Sequence, residues 1–196
     1  MLCLSKFING VGTVRVYHGT QLCHAMDIIE NGVDLSKSNM YLDFGKGFYL
    51  TPDISMAKNM AKRVLGGLSK TKKAFPTVMS FEYKENPELS YKIFGNEDIE
   101  WAKFIMANRV TPEIARELCL SDSNSDFKYD IVIGGTADGN VARIASDLRY
   151  GRLQPKQYSL KLSDFLKQDG SSYGTQIVLC TKKSISCIEY IKCDII

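Results

Sequence analysis

Apolar positions along this chain switch between a period near two and a period near four, and the switches divide it into strands and helices. Val14 to His18 (VRVYH) is a run of β-branched and aromatic residues that predicts a short strand. Residues 21–31 follow with Leu22, Ala25, Met26 and Ile29 on one helical face, and Gly32 supplies a C-terminal stop. The stretch VDLSKSNMYLDFGKG has no period and predicts a loop, after which GFYLT predicts a second strand. Thr51 can then cap a helix with Pro52 in its first position. The apolar stripe Ile54, Ala57, Met60, Ala61, Val64 carries that helix to Gly66 and Gly67.

Residues 77–83 return to alternation, with Met79, Phe81 and Tyr83 facing one way, and LSYKIF repeats the habit. Asp98 to Arg109 predicts a helix with acids at its start and Arg109 at its end, as the macrodipole prefers. A further helix opens at Thr111-Pro112, SDSNSD is a polar loop, and YDIVIGG reads as a buried strand. Residues 138–150 look helical, with Asp138 as an N-cap or as a group on the acceptor or cofactor side of a site. DFLKQ predicts a short helix, and TQIVLC and ISCIEYIKCDI predict two closing strands. Strands at both ends with helices between them point to an α+β domain over residues 1–196 rather than a regular βαβ array.

Composition narrows the class. With 196 residues, 44% apolar and 24% charged, the chain can bury one sizeable core. The net charge of +3 is too small to imply nucleic-acid binding by itself. No stretch is apolar enough to span a bilayer and the first residues lack a secretory pattern, so the expected location is the cytoplasm with no membrane partner. The six cysteines form no C-x-x-C and only two histidines accompany them, so no metal site is expected. Apolar neighbours at Cys180 and Cys187 suggest small buried hydrophobes and free thiols. Lys58, Lys62, Arg63, Lys70, Lys72 and Lys73 read first as a solvated face, with docking of an acidic or nucleic-acid target as the sharper alternative.

Candidate chemistry begins at His18-Gly19-Thr20. A glycine after the histidine lets the main chain approach a ligand and offer both its N–H and its C=O, the pair a primary carboxamide needs. His18 and Thr20 then add side-chain partners for ribose hydroxyls. In DFGKGFYL, Gly45 and Gly47 permit tight backbone, and Phe48 and Tyr49 face opposite ways, so one of them can wall a pocket for a planar ring.

YHGT followed by GKGFYLTPDISMAKNMA resembles the paired signatures of the poly(ADP-ribose) polymerases and related ADP-ribosyltransferases. The order YHGT, DFGKGFYLT, YDIVIGGTADG, QIV is more closely similar to a bacterial domain-of-unknown-function family, number 3990, over roughly residues 14–191. The resemblance implies a single ADP-ribosyltransferase-like domain with split antiparallel β-sheets flanked by helices, using NAD as co-substrate. It assigns the ribose contact to His18, the carboxamide contact to the backbone of Gly19, and an aromatic wall to Tyr49, with Thr20, Gly47 and Phe48 beside them. The polymerases' second tyrosine, eleven residues after the first, is Met60 here. The segment Asp34 to Phe44 takes the place of a loop over the dinucleotide.

At the third motif the sequence departs: TQIVLCT presents Gln176 where the polymerases place a glutamate. A glutamine keeps an acceptor of similar shape and loses the charge, a loss worth about 3 kcal/mol or roughly a hundredfold in rate. Transfer of a single unit to a macromolecular acceptor, with His18, Tyr49 and Gln176 as the triad, is therefore expected over chain elongation. The alternatives are an NAD glycohydrolase and a module that binds NAD or ADP-ribose without turnover. Small bacterial transferases of this type frequently act as toxins or effectors, so the resemblance also points to a neutralising partner protein as an expectation.

Overall fold

Seven strands form two sheets among the described residues, which in this computed structural model are 13–65, 75–137, 139–157 and 174–196. The first sheet has the order β1–β3–β7, from β1 (Val14–Gln21), β3 (Pro76–Tyr83) and β7 (Ile188–Ile195). The second has the order β2–β6–β5–β4, from β2 (Phe48–Leu50), β4 (Tyr91–Ile93), β5 (Ile131–Gly135) and β6 (Thr175–Leu179). The helices are α1 (Leu22–Asn31), α2 (Ile54–Leu65), α3 (Ile99–Arg109), α4 (Pro112–Glu117), α5 (Gly139–Arg149) and α6 (Lys182–Ile185). The fold class is thus α+β with two split sheets. One expectation is corrected: β4 pairs with β5 in parallel. The chain between them carries α3 and α4, long enough to cross over and return in the same direction.

Alternation sorts the side chains into two cores. Met79, Phe81 and Tyr83 of β3 face inward, where they join Val16 from β1 and Phe48, Leu50, Ile131, Ile133, Ile177 and Leu179 from the second sheet. This inter-sheet core is apolar but for the Tyr83 hydroxyl, and burying each large apolar side chain contributes about 1.5–3 kcal/mol. The outer face of the second sheet, through Val132 and Val178, meets Phe44 and the apolar side chains of α3 and α5. The Trp101 indole of α3 donates to the Gly135 carbonyl at 3.0 Å, tying that helix to the end of β5.

Helix starts follow their caps. The Asp98 carboxylate caps α3 by accepting from the amides of Glu100 and Trp101, a cap the sequence reading did not specify, and Thr111 caps α4 with Pro112 in its first turn, where the sequence opens that helix. At α2 the expectation fails. Thr51 exchanges both main-chain hydrogen bonds with Tyr17, so it belongs to the strand, and Asp53 accepts the Ser55 amide at 2.7 Å instead. Of the predicted α2 stripe, Ala57 and Ala61 are buried, while Ile54 and Met60 are each 40% exposed. The reason is proximity to β1: a Cβ on Gly19 would collide with the Ala57 carbonyl oxygen. Only small residues fit a helix laid that close to a strand.

Five cysteines are described, all free thiols. Cys180 and Cys187 are buried as expected, whereas Cys23 and Cys119 are exposed. Burial pushes the Cys180 thiol up to about 12, which leaves it a packing group rather than a nucleophile. Asp138, the DFLKQ segment and Lys70, Lys72 and Lys73 lie outside the described residues. No helix among the described residues is long and apolar enough to cross a membrane.

Candidate functional site

The two sheets touch along β1 and β2, and that seam opens at His18. Tyr17 and Thr51 form an isolated antiparallel bridge. Continued by two residues, the ladder would pair Gly19 with Tyr49. It is not continued, because the Nδ1–H of His18 donates to the Tyr49 carbonyl at 2.8 Å and takes the acceptor the ladder would have used. Alternation turns the N–H and C=O of Gly19 toward the same edge as those of Tyr17, away from β3. Neither makes a main-chain hydrogen bond outside the sheet among the described residues. The result is a fork with an unpaired main-chain donor and acceptor of one half-buried glycine inside it.

The histidine at the fork is held on two sides. Its ring lies 4.4 Å from that of Phe48, centroid to centroid, and Nδ1 is committed to Tyr49. Nδ1 must carry the proton to donate to a carbonyl, so Nε2 of the neutral ring is an acceptor. Desolvation lowers the His18 pKa below its ordinary value, against the opposing pull of the Tyr49 carbonyl, and keeps the ring neutral.

The neighbouring candidates are built into the same seam. Tyr49 packs on the outer face of the second sheet, its hydroxyl donating to the Gly45 carbonyl at 2.8 Å and accepting the Phe44 amide at 3.0 Å. Burial, with the charge of Asp43 second, raises its pKa well above the ordinary value. Gly47 lies so close to β6 that a Cβ would collide with Val178 Cγ1, and its amide donates to Ser38 Oγ. Phe48 and Thr20 are buried. Met60 lies on the outside of α2. One turn earlier, the sulfur of Met56 meets the Thr136 hydroxyl at 3.9 Å beside Gly174, so the start of α2 reaches the start of β6.

Gln176 stands on that same end of β6, and the β2–β6 register carried one residue past Leu50 and Ile177 sets it opposite Thr51. His18, Gly19, Tyr49 and Gln176 thus occupy three successive strands around one seam, with His18 and Gln176 on opposite faces of the second sheet's edge. Gln176 is 5% exposed, and its Nε2 donates to Asp43 Oδ2 at 3.1 Å. Asp43, itself 5% exposed, also accepts from Arg109 Nε at 2.6 Å and from the Ala137 amide at 3.2 Å. Sequence reasoning missed Asp43, Arg109 and Met56. The one available signal was an acid, Asp43, next to a phenylalanine in a loop without a period.

Two further features lie away from this seam. Asp130 accepts from the amide and hydroxyl of Ser90 and from the Thr181 hydroxyl, so it latches β5 to its neighbours. A separate open pocket of about 330 Å³, lined among others by Lys46, Phe127 and Lys182, lies at the far end of β6 and touches none of the triad. No group of three metal-ligating side chains occurs among the described residues.

The family described as Protein of unknown function (DUF3990) matches residues 14–190. That match covers nearly the whole chain, which therefore belongs to this family. No curated protein matches it.

Proposed function

We propose that this DUF3990 member is a mono-ADP-ribosyltransferase that moves one ADP-ribose unit from NAD to a macromolecular acceptor and releases nicotinamide. The observation that carries the reading is the fork at Gly19: one donor and one acceptor of the main chain, side by side on an unpaired edge, match the C=O and NH₂ of a carboxamide. The neutral His18 beside it offers Nε2 to a ribose hydroxyl, and Tyr49 and Gln176 frame the ring and the nicotinamide ribose.

In the reaction the bond from ribose C1′ to the pyridine nitrogen breaks, and its electron pair neutralises the pyridinium as nicotinamide leaves. The ribosyl carbon, bearing oxocarbenium character, is captured by a lone pair of the acceptor, whose proton passes to solvent. Gln176 supplies an acceptor oxygen near the developing positive charge, without the full charge of a carboxylate.

Incubating the protein with labelled NAD and a cell lysate tests the reading. Label appears on macromolecules, nicotinamide is released, and both fall at least tenfold in His18→Ala. Unchanged transfer in that variant overturns the assignment. Free ADP-ribose in place of labelled macromolecule identifies a glycohydrolase instead. A second reading, an NAD-binding module without turnover, is favoured by one observation: the residue at 176 is an uncharged amide already bonded to Asp43. Calorimetric NAD binding with no nicotinamide release would select it.

A further inference from the structure

The amide of Gln176 is not free to choose its orientation. Both oxygens of Asp43 are acceptors only, and they receive three donors: Arg109 Nε on Oδ1, and the Ala137 amide and Gln176 Nε2 on Oδ2. The glutamine must therefore turn its NH₂ inward. No hydrogen bond to its Oε1 is made among the described residues. Arg109 compensates the Asp43 charge from the other side, which makes a buried carboxylate tolerable there.

We propose that Asp43 is a positioning residue that clamps Gln176 by its Nε2, so that Oε1 is the atom offered to the bound ligand's ribose hydroxyl. This rests on the NAD reading above. It also accounts for glutamine at 176: a glutamate there would set a second carboxylate against Oδ2 of Asp43, and two carboxylates at that distance do not both ionise. Gln176 and Asp43 thus divide the work of one glutamate, the first supplying the acceptor atom and the second its orientation and polarisation.

Four proteins test it: wild type, Asp43→Asn, Gln176→Glu and the double variant, each assayed for nicotinamide release across pH. In Asp43→Asn the substituted side chain keeps one acceptor, which Arg109 takes, and turns its NH₂ to residue 176, while the Ala137 amide loses its acceptor in this variant and in the double variant alike. Gln176 must then reverse and offer Nε2 outward. Asp43→Asn is expected to lower kcat about tenfold to a hundredfold with little change in KM for NAD. Gln176→Glu acquires a pH dependence that wild type lacks, because the carboxylate pair shares a proton. In the double variant the amide introduced at position 43 donates to the carboxylate introduced at position 176, and the rate recovers at least tenfold over Asp43→Asn.

A merely structural Asp43 predicts no such recovery, so a double variant no better than Asp43→Asn overturns the clamp while wild-type turnover leaves the functional reading standing. Wild type that neither binds NAD nor releases nicotinamide overturns both. If Asp43→Asn does not fold, hydrogen exchange of the Gln176 side-chain amide in the wild-type protein decides. Protected protons support the clamp, and exchange as fast as that of an exposed glutamine overturns it.

Discussion

The two faces of the β2–β6 strand pair are made by the same few residues and have opposite characters. On one face Phe48, Leu50, Ile177 and Leu179 join the inter-sheet core, and every group is apolar. On the other, Tyr49, Thr51, Gln176 and Val178 mix two hydroxyls, an amide and an aliphatic chain, all buried but the half-buried Tyr49. The first face needs only to be apolar and of the right volume. The second stays buried because polar partners meet it: Asp43 for Gln176 and Tyr17 for the Thr51 backbone from distant segments, and Gly45 of the adjacent turn for the Tyr49 hydroxyl. A half-polar buried face is costly to keep, and costs of that kind concentrate where a protein does chemistry.

The largest test of this contrast is Asp43→Ala. It strands Arg109 and Gln176 together, and urea unfolding should show a loss of about 3–5 kcal/mol, more than its small size would give on the apolar face. Next, Ile177→Ala removes a fully buried side chain from the apolar face and should cost about 3 kcal/mol by the same measurement. If it costs far more than Asp43→Ala, the polar seam is not what holds the outer face.

Tyr49→Phe is smaller. It deletes one hydroxyl that serves both the Phe44 amide and the Gly45 carbonyl, and a loss of about 1–2 kcal/mol is expected in thermal melts. A neutral result would mean that the turn closes without it.

The smallest effect belongs to His18, whose ring lies against Phe48 on the apolar side. Its folded pKa is depressed below 6.5 by desolvation, so the unfolded chain binds the proton more readily. Its contribution to stability is present above pH 6.5 and is lost as pH falls through the lower folded value. His18→Gln should flatten that part of the stability curve, read from denaturant midpoints at a series of acid pH values.

Much of the framework was legible along the chain. The alternation at Met79, Phe81 and Tyr83 placed the inward face of β3, and the acids near Asp98 and the pair Thr111-Pro112 placed the starts of α3 and α4. The Tyr49 position and the glycine at 19 were legible as candidates because strand period and missing side chains are local properties. Arg109 was legible only as a cation at a helix end. Its role against Asp43, 66 residues earlier, leaves no local trace. Thr51 misled because a hydroxyl residue before a proline reads as a cap wherever its backbone goes.

The sequence by itself determined which stretches are strands and helices and which faces of them are apolar, since both follow from periodicities of a few residues. Only the tertiary structure decided where β1 parts from β2, that Gln176 meets a carboxylate 133 residues away in the chain, and which way its amide turns. Hydrophobic burial is non-directional and can be read from a pattern. A hydrogen bond needs a particular partner at a particular angle, and that partner is chosen by the fold.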